Sequence, residues 1–251
     1  MEKLKLILIA FLLATPLLLP ERAQAQQTQA IGRCVSNTNI VPGGFTVSRC
    51  YNGNTVGGIG TTLDDAVANA NAMSSLLSQG VQCTYNTGTM SEGMFMIAFA
   101  CSKESYNFGR AGSVGGVGTT FTDAGLNALT FAQLFAASDG YRCNHSSADI
   151  GLGGYITKFN CGYPNTDGSI GRSSLIAGVG STATDSAINN AGFAELGASG
   201  IICSTSGSSI SINAGAYKVR FSCNGQNVYG FGSTLTSAGR DALLQAQSQG
   251  F

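Results

Sequence analysis

Gly116-Val117-Gly118-Thr119-Thr120 decides the fold, because the chain carries this string four times. The other copies are Gly58-Ile59-Gly60-Thr61-Thr62, Gly178-Val179-Gly180-Ser181-Thr182 and Gly230-Phe231-Gly232-Ser233-Thr234. Recurrence of this kind marks a repeat protein. Ahead of each string stands a pair of cysteines: Cys34 and Cys50, Cys83 and Cys101, Cys143 and Cys161, Cys203 and Cys223. Cys83, Cys143 and Cys203 are spaced 60 residues apart.

Behind each string the sequence predicts a helix. Thr62, Thr120, Thr182 and Thr234 read as N-caps, with Asp65, Asp123, Asp185 and Ser237 three residues on. An acid there suits both a capping box and the positive end of the helix dipole. Small and apolar residues follow at helical spacing, as in Ala66, Ala70, Met73 and Leu76 or Ala124, Ala128, Phe131 and Phe135, so one face packs on a sheet. Gly80, Gly140, Gly200 and Gly250 then end the helices as left-handed caps. Ahead of the strings the pattern is that of strands. Phe95, Ile97, Phe99 and Cys101 alternate, as do Tyr155, Thr157, Phe159, Cys161 and Tyr217, Val219, Phe221, Cys223. Asn52-Gly53 and Asn224-Gly225 suit two-residue hairpin turns whose central residues both need positive φ.

The predicted fold class is therefore α+β: four tandem β-β-β-α repeats of ~50–60 residues, each with a hairpin disulfide, packed as a repeat array or pseudo-symmetric assembly. The boundaries fall at 26–79, 80–139, 140–199 and 200–251, behind a segment 1–25. In the first repeat Phe45 and Val47 are out of phase with Cys50, which predicts a bulge or a solvent-facing end unit. Such small units need staples, and a disulfide closing ~17 residues contributes about 3 kcal/mol in the chain-entropy model.

Segment 1–25 reads as a secretory signal peptide. Lys3 and Lys5 precede an apolar run from Leu6 to Leu19, and Ala23-Gln24-Ala25 provides small residues for cleavage. Pro16 interrupts a run already short for a spanning helix. Cleavage leaves ten basic and eleven acidic residues, and export makes pairing of all eight cysteines the expectation. Localisation is then secreted, periplasmic or cell-surface. Only 10% of the 251 residues are charged and the net charge is zero, so there is no basic surplus to neutralise phosphates. Neither nucleic acid nor, after signal cleavage, membrane insertion is expected.

The Gly-x-Gly strings lack the lysine of a P-loop and the third glycine of a dinucleotide fingerprint, so they read as turns that let helix approach sheet. They resemble the last strand and helix of double-stranded-RNA-binding domains, with acids where that family carries lysines, and the resemblance implies topology alone. His145 is the only imidazole, sits two residues after Cys143, and reads as structural or exposed. With no Cys-x-x-Cys, no metal or cofactor is expected. Asn69, Asn127, Asn189 and Asp241, each seven residues past a cap, either line a shared groove or bond a neighbour's backbone. Asn144-His145-Ser146 matches a glycosylation acceptor.

The middle repeats carry longer loops, Ser102–Ala111 and Gly162–Ser173, which concentrate charge in a charge-poor chain. Lys103, Tyr106, Arg110, Tyr163, Asp167 and Arg172 are the candidate partner-binding residues, since recognition gathers in loops on rigid scaffolds. The favoured reading is an exported, non-enzymatic, disulfide-stapled binding or structural module with a protein or glycan partner, or self-association. Two alternatives stay open. One is a polysaccharide hydrolase using paired carboxylates among Glu92, Glu104, Asp149, Asp167 and Glu195. The other is a protease inhibitor presenting hairpin tips near Glu92, Gly151 and Ser211.

Overall fold

The structure is a computed structural model that describes residues 34, 36–103, 112–138, 140–165, 171 and 173–250. The signal-peptide reading of 1–25 lies outside these residues. Mixed α+β structure is arranged as four sheets, four helices and four disulfides. The first segment holds β1 (Asn37–Val41), β2 (Gly44–Tyr51), β3 (Asn54–Gly60) and α1 (Leu63–Ser74). The second holds β4 (Val81–Ser91), β5 (Met94–Lys103), β6 (Gly112–Gly118) and α2 (Phe121–Ala137). The third holds β7 (Arg142–Gly151), β8 (Gly154–Gly162), β9 (Ser174–Gly180) and α3 (Ala183–Ala198). In the fourth, β10 (Cys203–Ser204), β11 (Ile210–Asn213), β12 (Ala216–Cys223) and β13 (Gln226–Gly232) precede α4 (Leu235–Gln249).

Each of the first three sheets is an antiparallel meander with its middle strand hydrogen-bonded to both others. Most of the turns follow one rule. Asn52-Gly53, Glu92-Gly93, Leu152-Gly153, Ala214-Gly215 and Asn224-Gly225 all place both central residues at positive φ, which matches the right-handed twist of the strands they join. Cys83–Cys101, Cys143–Cys161 and Cys203–Cys223 join residues directly opposite across a hairpin, with Cα atoms 4.0–4.1 Å apart. Cys34 instead precedes β1, and its bridge to Cys50 spans 5.6 Å between Cα atoms.

That difference accounts for the phase of Cys50. β2 pairs with β1 and β3 without a register shift, so there is no bulge there. Cys50 lies opposite Thr55 and clips an incoming chain rather than a paired strand. The bulges fall in β4, between Tyr85 and Thr87, and in β7, between His145 and Ser147. Two further departures are local. α1 gives way to a 3-10 turn over Ser75–Gln79 before left-handed Gly80. The first strand of the fourth segment is cut in two by a 3-10 turn at Gly207–Ser209, where Ser206 bonds Ser208 and Ser209 through its hydroxyl.

The glycine string brings helix onto sheet. A Cβ at Gly58, Gly116 or Gly230 would collide with the backbone of the helix at Ala66 and Ala70, Ala124 and Ala128, or Ala238 and Ala242. The residue between the glycines, Ile59, Val117 or Val179, points the other way and is buried. Gly57 likewise faces away from its own helix, against the backbone of Thr84 and Tyr85 in β4. Successive segments thus pack strand face to strand face and helix to helix; one large apolar core runs from Val56 to Ala246, and a second small cluster of Val47, Ala66 and Ala70 lies under the first helix.

In the third segment this helix–sheet contact is polar. Where the others place Val47, Ala66, Ala70, or Ile97, Ala124, Ala128, or Val219, Ala238, Ala242, the third has Thr157, Ser186 and Asn190, all fully buried. The Ser186 hydroxyl accepts from the Thr157 amide at 2.9 Å, lies 3.0 Å from Thr157 Oγ1, and donates to the Gly178 carbonyl at 2.8 Å. Asn190 Nδ2 donates to the carbonyls of Thr157 and Ile176.

Candidate functional site

The helix starts build the frame. Thr62, Thr120, Thr182 and Thr234 each accept from the amide three residues on, which closes their caps. A second threonine ties neighbouring helices together. Thr122 Oγ1 accepts from the Thr61 amide at 2.8 Å and donates to Asp65 at 3.1 Å. Thr184 repeats this with Thr119 and Asp123, and Thr236 with Ser181 and Asp185. Hydrogen bonds from Thr62 and Thr122 hold the Asp65 carboxyl below the usual carboxylate range. Asn69 and Asn189 donate both to their own strand, at Ile59 and Val179, and to the next helix start, at Thr122 and Thr236. Asn127 donates to Val117. Asn69 and Asn189 therefore bond a neighbour's backbone at the junctions, while the bonds of Asn127 and Asp241 stay within their own segments.

Both ends of the chain depart from this pattern. Asp64 stands in α1 where Thr122, Thr184 and Thr236 stand in the later helices, and Val67 where they carry Gly125, Ala187 and Gly239. A Cβ at Gly125 would press on Asn69 and Ile59 of the preceding segment, whereas α1 has no such neighbour among the described residues. At the other end Ser237 replaces the aspartate and completes a capping box within its own helix.

With the helix starts tied in sequence, the hairpins that overhang them fall into a row. Phe45, Phe95, Tyr155 and Tyr217 lie opposite Gly60, Gly118, Gly180 and Gly232, the last glycine of each string. Across the first hairpin each aromatic faces an exposed aliphatic side chain in the same register: Ile40, Met90, Ile150 and Ile212. These are 82%, 67%, 54% and 48% exposed. Leu152, at the third tip, is 49% exposed. Between the first two tips a pocket of about 240 Å³ is lined by Val41, Pro42, Tyr85, Met90, Phe95 and Phe121. The rings of Tyr85 and Phe95 both contact Phe121, which keeps the pocket floor fixed. The signal for this row is in the sequence as apolar-x-x-Gly-x-aromatic, at Ile40–Phe45, Met90–Phe95, Ile150–Tyr155 and Ile212–Tyr217, outside the repeated glycine strings and the cysteines.

The loop residues fare differently. Lys103 Nζ donates to the Ala136 carbonyl at 3.0 Å, and the Tyr163 hydroxyl to the Ala198 carbonyl at 2.9 Å. Each closes the end of a helix, α2 and α3, where carbonyls lack partners within the helix. Tyr163 also packs edge-on against Tyr141. Tyr106, Arg110, Asp167 and Arg172 lie outside the described residues, as does Glu104.

The other candidates are scattered. Glu92 is at a hairpin apex, Asp149 pairs with Lys158 at 2.5 Å, and Glu195 is on the exposed side of α3. The tips at Glu92, Gly151 and Ser211 are all exposed. His145 is half-buried, edge-on to Phe159 at 5.6 Å, and burial lowers its pKa against a raising hydrogen bond to the Ser147 backbone. Asn144 lies inside β7 with its Oδ1 buried, a poor presentation for glycosylation. Among the described residues no three His, Cys, Asp or Glu side chains group so as to hold a metal ion, and no helix is long and apolar enough to cross a membrane. No protein-family model and no curated protein matches the chain.

Proposed function

We propose that this chain is an exported binding module, non-enzymatic in its role, that engages a protein partner through the row of hairpin tips. In this reading residues 1–25 direct export, and 26–79, 80–139, 140–199 and 200–251 are tandem repeats stacked as one array. The four disulfides suit an extracellular protein. The observation that carries the proposal is the row itself. An exposed apolar residue, isoleucine or methionine, opposite a half-buried phenylalanine or tyrosine recurs in all four hairpins. Exposed apolar side chains aligned on a rigid edge are what a contact surface needs and what a free surface avoids. The pocket between the first two tips has room for one apolar side chain of a partner, the kind of anchor that dominates interface energetics. A protease is one class of partner that would meet such tips.

Site-specific photo-crosslinking at the surface of the producing cell tests this. A crosslinker in place of Met90 or Ile150 should give discrete protein adducts, and one in place of exposed Gln247 on α4 should not. Equal labelling from all three positions, or none from the tips, contradicts the proposal. An adduct of twice the chain mass identifies the partner as a second copy.

A further inference from the structure

The outer face of the fourth sheet differs in kind from the other three. In the first three segments the strand that ends in the glycine string shows its neighbour a small residue, Gly57, Gly115 or Ala177, and then Ile59, Val117 or Val179, all buried. In β13 these positions are Tyr229 and Phe231, 38% and 56% exposed. A Cβ at Gly57 already strikes the backbone of β4, and Ala177 is the largest side chain at this position in the first three segments, so Tyr229 is far bulkier than the stacking there accommodates. An end unit needs only a polar face to stay soluble. This one instead carries two aromatics beside two cations in register, Lys218 opposite Phe231 and Arg220 opposite Tyr229.

The arrangement is preorganised. Lys218 Nζ sits 4.5 Å from the Tyr229 ring centre and 5.6 Å from that of Phe231, which fixes the ammonium on the outer surface. Arg220 is exposed and makes one long contact, 3.5 Å, to Ser209. Asp241 accepts from the Phe231 amide at 2.9 Å. Two aromatics offer flat apolar surface, and two cations in a chain of 13 offer carboxylate recognition. Neutral sugars would leave the cations without a role, and an apolar protein knob would leave them desolvated.

We infer that this face binds an acidic polysaccharide, with a sugar ring against Tyr229 and Phe231 and its carboxylate held by Lys218 and Arg220. The site shares the fourth hairpin with the row but uses none of its residues, so the two assignments are tested by different substitutions.

Affinity electrophoresis in gels containing polygalacturonate, dextran or oligothymidylate tests it, with the intact chain as the protein. Wild type should be retarded by polygalacturonate and not by dextran. Tyr229→Ser and the pair Lys218→Gln/Arg220→Gln should each weaken retardation by about tenfold or more. Arg49→Gln, which removes an exposed cation from β2, should stay within about twofold of wild type. Unchanged thermal unfolding of the variants shows that they fold, and Phe231→Thr is the alternative where Tyr229→Ser does not. No retardation of wild type, equal retardation by dextran, tighter binding of oligothymidylate, or an effect of Arg49→Gln equal to that of the double variant overturns the inference. So does a dimer in sedimentation that Tyr229→Ser dissolves, since a second copy then covers the face.

Discussion

Replacing Ser186 by alanine removes one oxygen atom and disconnects three groups. The Thr157 amide loses its acceptor at 2.9 Å, the Gly178 carbonyl its donor at 2.8 Å, and Thr157 Oγ1 its partner at 3.0 Å, all in a place with no access to water. An unsatisfied buried group costs about 1–3 kcal/mol, and strand pairing relieves part of this for backbone groups. The expected loss is about 2–4 kcal/mol. The triple variant Thr157→Ile/Ser186→Ala/Asn190→Ala installs the residues that the second segment uses at Ile97, Ala124 and Ala128. It removes the Thr157 hydroxyl and the Asn190 amide along with Ser186, leaves the backbone groups to strand pairing as in the second segment, and should fall within about 1 kcal/mol of wild type. The two results together require a coupling of more than about 1 kcal/mol among the three sites. Urea unfolding followed by far-UV circular dichroism, with the disulfides intact, measures both. A triple variant as unstable as the sum of its single changes refutes the reasoning, as does a Ser186→Ala cost below about 1 kcal/mol.

The junction threonines give a paired test: Thr184→Val should cost about 0.5–1.5 kcal/mol by removing the hydrogen bonds to the Thr119 amide and to Asp123. Asp64→Thr, at the matching position with no preceding segment among the described residues, should stay within about 0.5 kcal/mol, and equal effects in denaturation would discount the junction. Leu152 holds positive φ at 49° in a two-residue turn, so Leu152→Asn should stabilise by about 0.5–1 kcal/mol in a thermal melt, and an unchanged melting temperature contradicts that. His145 has a folded-state pKa below its ordinary 6.5, so the native state favours the neutral ring. Its contribution is full above pH 6.5 and falls away as pH drops through the folded value. His145→Gln should flatten that part of the curve of melting temperature against pH, and an unaltered curve would remove His145 from the account.

Much of the fold is local and so legible. Thr120 and Asn52-Gly53 act within a few residues of themselves, through a cap and a turn, and Gly116 within twelve, through its close approach to Ala124 and Ala128; a repeated local cause shows as a repeated string. The break in the first strand of the fourth segment and the 3-10 end of α1 are also local, but they rest on weak competitors, serine hydroxyls and a shortened last turn. What escapes the sequence depends on contact between segments. Thr122 reads as an ordinary first-turn residue until Asp65 and Thr61 are brought to it. Lys103 and Tyr163 read as free recognition residues until helix ends 33 and 35 positions away take their polar groups. The hairpin row was spelled out in Ile150-Gly151-Leu152-Gly153-Gly154-Tyr155, yet which face of a hairpin meets water is decided by the helix beneath it. Tyr229 and Phe231 gain their meaning only when Gly57 and Ile59 are seen to be covered.

Each segment is closed by its own disulfide, and the proposed export would let all four form. Peptide mapping by mass spectrometry without reduction, on protein recovered from outside the cell, tests this most directly. It should return Cys34–Cys50, Cys83–Cys101, Cys143–Cys161 and Cys203–Cys223 with no free thiol. A bridge joining cysteines of different segments, or a chain found reduced inside the cell, contradicts it.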